Sequence, residues 1–125
     1  MLGQHKNDLY IWSKQKHMIL SDKQFDEDGD LTYVYTCEVK FKVSYSSKEK
    51  AKFDKFCDDN FYNVHTELEE EYDDGTGMES VVEVTGDILV SVGQYDDKHE
   101  MLKMATDDIC YDFRKVSNYV EVVED

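Results

Sequence analysis

The stretch Leu31-Thr32-Tyr33-Val34-Tyr35-Thr36-Cys37-Glu38-Val39-Lys40-Phe41-Lys42-Val43-Ser44-Tyr45 decides the fold. Leu31, Tyr33, Tyr35, Cys37, Val39, Phe41, Val43 and Tyr45 take every odd position. The even positions are polar except for Val34. Successive side chains of a strand point to opposite faces, so this period of two predicts a long strand with one buried face.

Upstream, His17 to Phe25 reads as an edge strand hairpinned to Leu31 through Asp28-Gly29, preceded by a short helix opening at Leu9–Trp12 under an Asn7 or Asp8 cap. Downstream, Ser46-Ser47-Lys48-Glu49 matches a capping box, and Phe53, Phe56 and Cys57 follow at helical spacing, which predicts a helix over about 47–60. Alternation returns from Phe61 to Tyr72, with Tyr62, Val64, Leu68 and Tyr72 on one face and His65, Glu67, Glu69 and Glu71 on the other. Asp73-Asp74-Gly75-Thr76-Gly77 is turn chemistry, and Met78 to Val92 alternates again, so the two segments read as a hairpin. Asp97 with Glu100 offers a second capping box. The Leu102, Ala105, Ile109, Phe113 and Val116 stripe extends a helix over about 97–115, and Tyr119 to Val123 closes with a short strand.

The expected fold is therefore α+β: a ferredoxin-like β-α-β-β-α-β antiparallel sheet with two helices on one face. It spans residues 31–125 of a single domain (1–125), with an N-terminal helix and strand extension over 1–30. One core suits 125 residues, and 40% apolar residues with 13% aromatics argue against disorder.

Composition bounds function by exclusion. Acids number 29 against 14 Lys plus Arg, a net charge of −15, which repels phosphate backbones and anionic membranes, so direct nucleic-acid or membrane binding is not expected. No apolar run reaches the roughly 18 residues of a membrane span, and Lys6, Asp8 and Lys14 interrupt any signal-peptide core; a soluble, cytoplasmic protein is expected. Cys37, Cys57 and Cys110 are odd in number and lack a C-x-x-C pair, which fits small buried thiols rather than disulfides or zinc.

Catalytic and cofactor motifs fail one by one. Asp26, Asp28 and Asp30 start like an EF-hand loop, but Leu31 stands where its glycine belongs, Cys37 where its bidentate glutamate belongs, and a strand follows instead of a helix. His5, His17, His65 and His99 form no ligand-spaced pair, no G-x-S-x-G elbow accompanies the serines, and the acidic Gly75-Thr76-Gly77 turn would repel phosphate. No enzyme activity, metal or cofactor is expected.

What remains is the distribution of charge. Residues 1–57 carry ten lysines against nine acids, whereas residues 58–125 carry twenty acids against four bases. Alternation collects Glu67, Glu69, Glu71, Glu79, Glu83 and Asp87 on one hairpin face, with Asp73 and Asp74 at its tip. The second helix adds Asp96, Asp97, Glu100, Asp107, Asp108 and Asp112. If Tyr72 faces Met78, Glu71 opposes Glu79 and Glu67 opposes Glu83, pairings that destabilise a sheet.

Carboxylates at i, i+2 and i+4 repeat every ~6.6–6.8 Å, comparable with successive phosphates on a nucleic-acid strand. The expectation is a small acidic non-enzymatic inhibitor. It would bind a basic nucleic-acid-handling protein, a nuclease or defence effector, by nucleic-acid mimicry through these fourteen acids. Such a composition resembles that of phage-encoded anti-restriction and anti-CRISPR proteins, which would act in the host cytoplasm, and that of nuclease-toxin immunity proteins. The alternative is a small-molecule- or ion-binding regulatory domain of ferredoxin-like fold, dimeric and with its ligand at the interface.

Overall fold

A computed structural model describes residues 18–123 except Asp74 and Thr76. The N-terminal helix expected at Leu9–Trp12, and His5, His17 and Asp74, lie outside the described residues. The chain is α+β, and the described residues form five strands and two α-helices: β1 Met18–Phe25, β2 Leu31–Ser46, α1 Lys50–Asn60, β3 Tyr62–Asp73, β4 Met78–Gly93, α2 Lys98–Phe113 and β5 Tyr119–Val122. All paired strands are antiparallel.

The alternating stretch becomes the centre of the sheet. β4 lines one side of β2 along nearly its whole length, from Thr32 opposite Gly93 to Ser46 opposite Glu79. The other side is shared: β1 covers Leu31–Cys37 and β5 covers Phe41–Ser44. Among the described residues β3 pairs with β4 and with no other strand, so it forms an outer edge of this sheet.

The expected β1–β2 hairpin is present. Its turn is closed by Asp26, whose carboxylate Oδ1 accepts the Asp28 and Asp30 amides at 2.9 and 2.8 Å, while Gly29 takes the left-handed φ of 85°.

The odd residues of β2 and the even residues of β4 face both helices. Cys37, Val39, Phe41, Val43 and Tyr45 join Val82, Val84, Ile88, Val90 and Val92 in one buried cluster with Phe53, Cys57, Cys110 and Phe113. The Phe113 ring sits at the centre, 5.3 Å from Phe41 and 4.3 Å from Phe56, while Tyr45 stacks on Phe53 at 4.2 Å. Gly86 is the gap in this layer: a Cβ there would come within 2.7–2.9 Å of the Phe61 side chain, so the ring occupies the place a larger residue would need.

The two caps differ. Asp97 caps α2 as expected, its carboxylate accepting the His99 and Glu100 amides at 2.9 and 3.4 Å. The Ser46–Glu49 capping box does not form. Ser46 is still paired in β2, a 3-10 turn takes up Ser47–Glu49, and α1 opens after Glu49 with no side-chain cap. Among the described residues no helix is long and apolar enough to cross a membrane.

Candidate interaction face

Both helices lie on one side of the sheet, and no helix among the described residues packs on the opposite side. On that outer side β2 places its even residues and β4 its odd ones. Glu83 and Asp87 of β4 project there. Glu67 of β3 stands directly opposite Glu83, the like-charge pairing that strand alternation anticipates.

The rest of β3 departs from simple alternation because its register slips twice, between Tyr62 and His65 and between Leu68 and Glu70. An extra residue in one strand flips every side chain beyond it to the other face. Past the second slip Tyr72 faces Glu79 and Glu71 faces Ser80, so Glu71 leaves the acidic face and Glu70, opposite Val81, takes its place. The expected Glu71–Glu79 opposition is thereby lost. The first slip is accommodated by Asn63, which adopts a left-handed φ of 51° and donates from Nδ2 to Asp87 Oδ2 at 3.1 Å. Nor do the residues expected on one face of β3 stay together: Tyr62 and Tyr72 stand opposite Asp87 and Glu79 on the outer side and Leu68 opposite Val82 on the other, all three exposed.

Glu79 is not a surface acid. It is 3% exposed and holds three segments together, accepting from Ser44 Oγ at 2.6 Å and from Asn118 Nδ2 at 2.9 and 3.0 Å. A buried carboxylate needs such donors, so this side chain is committed to the fold.

The expected helix acids divide in the same way. Asp97 is spent on its cap, Asp96 accepts the Gly93 amide at 3.0 Å, and Asp112 lies 3.3 Å from Lys115. Glu100, Asp107 and Asp108 are exposed, but α2 is in the helical layer, across the sheet from Glu67 and Glu83. The acids named from sequence therefore do not make one surface. Asp73 is exposed at the end of β3 and accepts the Gly75 amide at 2.8 Å.

Two cations enter the outer face unforeseen. Lys40 Nζ lies 3.6 Å from Glu83 and Lys42 Nζ 3.8 Å from Glu69, both partly exposed pairs worth no more than about 1 kcal/mol each. Their signal was available, since both occupy even positions of β2. The face thus carries Asp22, Glu38, Glu67, Glu69, Glu70, Glu83, Asp87 and Glu121 against Lys40 and Lys42, with exposed Tyr72 and Tyr119 beside them.

The remaining candidate chemistry is subdued. Burial pushes the Cys37 thiol up to about 11, helped by Asp87, and the Cys57 thiol up to about 12, helped by Asp54 and Asp58. Burial also raises Cys110, against the pull of Arg114. Thiolates are the nucleophilic form, so none of the three is poised to attack. His65 and His99 are exposed. Asp26, Asp28 and Asp30 bring ligand atoms within 4.8 Å of one another at the surface, but the Asp26 carboxylate already serves the turn amides. Comparison with protein-family models, with curated proteins and with solved structures finds no match.

Proposed function

We propose that the protein is a small non-enzymatic antagonist that occupies the basic surface of a nucleic-acid-handling protein, its uncovered sheet face standing in for a phosphate backbone. One observation carries this reading. Glu67, Glu69, Glu70, Glu83 and Asp87 share a face that no helix among the described residues covers, and Lys40 and Lys42 offset it in part. Opposed carboxylates cost stability, and a partner's cations would relieve that cost while steering the encounter.

A ferredoxin-like core is part of the same proposal. Its support is the order β5-β2-β4-β3 with a helix between β2 and β3 and another between β4 and β5; β1 then adds to the edge that β5 leaves free.

Lysate proteins retained by the immobilised chain are challenged with duplex DNA, with RNA and with rising salt. The reading expects nucleic-acid-binding proteins that either nucleic acid displaces and that moderate salt releases. Charge reversal at Glu67, Glu83 and Asp87 should abolish their capture. Retention of the partner by the reversed variant, or in the presence of saturating nucleic acid, would sink it.

A further inference from the structure

We infer that the free edge of β3 is a strand-addition site for an extended, lysine- or arginine-rich segment of the partner. This rests on the basic partner proposed above and names how that partner attaches. β3 is twelve residues long and pairs with β4 along one side. Its other side presents backbone N–H and C=O groups to which no strand among the described residues is matched. Proteins shield such edges or use them, and a peptide laid along one gains main-chain hydrogen bonds over its whole length.

The side chains select the occupant. On the outer side Glu67 and, past the bulge, Glu70 flank the edge; on the helix side stand Glu71 and Asp73. The strand carries no lysine or arginine. A second copy of the chain is disfavoured because pairing β3 with β3 sets carboxylate against carboxylate from Glu67 to Asp73. A strand alternating basic and apolar residues meets neither obstacle. Its cations face Glu67 and Glu70, and its apolar residues cover Leu68, which is 57% exposed although its neighbour Val82 is buried.

The test uses a twelve-residue peptide of alternating Lys and Val and two twins of identical charge. One twin is N-methylated on its odd residues and the other on its even residues. Strand addition engages the amides of one set and leaves the other set pointing to solvent. One twin should therefore bind like the parent peptide and the other about tenfold more weakly or worse, and the parent should slow amide exchange across Tyr62–Asp73. Equal binding by the two twins, at any level, overturns the proposal, as does slowed exchange confined to other strands.

The two readings fail separately. Equal twins together with a natural partner still displaced by nucleic acid remove the edge and leave the mimicking face. Unequal twins with a partner indifferent to nucleic acid remove the mimicry and leave the edge.

Discussion

Replacing Glu79 with alanine separates a structural acid from a docking acid. The side chain is 3% exposed, and its carboxylate receives the Ser44 hydroxyl at 2.6 Å and the Asn118 amide at 2.9 and 3.0 Å. Truncation leaves Ser44, itself buried, with an orphaned hydroxyl in β2, at a cost of about 1–3 kcal/mol. Asn118 is exposed and regains water, so its loss adds about 1 kcal/mol at most, and the desolvation of the carboxylate is recovered in the other direction. The net expectation is a destabilisation of about 2 kcal/mol, read as a fall in the urea midpoint with an unchanged slope. Ser44→Ala in the same background closes a double-mutant cycle, in which the paired variant should be about 1 kcal/mol more stable than the sum of the single effects. Partner binding by the folded fraction should be unaltered. A Glu79→Ala protein within about 0.5 kcal/mol of the parent, or one that is fully stable but loses its partner, would refute the assignment of this residue to the fold.

Gly86→Ala should cost about 1–2 kcal/mol in the same urea assay, because overpacking against Phe61 outweighs the backbone entropy gained, and Phe61→Ala in the same chain should reverse its sign. Stability should be fully present below about pH 9, the ordinary thiol value, and fall as pH rises toward about 11 and 12, since Cys37 and Cys57 stay protonated in the fold while the unfolded chain ionises; a flat alkaline profile would contradict their burial. Alkylation at pH 8 should likewise be slow in the native protein and fast in urea. Glu67, Glu69 and Glu71 changed together to glutamine should raise self-association in sedimentation equilibrium, because the open β3 edge loses the charge that keeps copies apart. Asp97→Ala should cost about 1 kcal/mol through loss of the α2 cap without altering capture of the partner.

The parts of the fold legible in sequence are those a local rule dictates. Alternation across Leu31–Tyr45 places β2, and its polar even residues already imply one uncovered face. Asp97 caps α2 because the side-chain oxygen and the amides it serves lie within three residues. What escapes reading depends on counting residues across two strands. Glu69, Glu70 and Glu71 are identical neighbours, so the sequence offers an acid to the outer face wherever the bulge falls and conceals that it falls there. Glu79 is hidden for the opposite reason: its partners, Ser44 and Asn118, lie 35 and 39 residues away. The missing Ser46 cap has the same origin, for β4 holds Ser46 in the sheet while its sequence neighbours would have it open a helix.

The bulge also redistributes the negative charge of β3. Were β3 to alternate without interruption, Glu67, Glu69, Glu71 and Asp73 would line the outer face and Glu70 would be the one acid of this run on the helix side. Instead Glu67 and Glu70 stay on the outer side while Glu71 and Asp73 turn to the other, so the strand is acidic on both sides of its open edge. The lysines that temper the face sit on β2 and reach Glu83 and Glu69. Among the described residues neither Glu67 nor Glu70 has a cation within pairing distance. These two acids thus lie on the outermost strand, whose far side is matched to no strand among the described residues. A basic strand laid there would gain twice, by setting its cations beside Glu67 and Glu70 and its amides against the side of β3 that no described strand pairs.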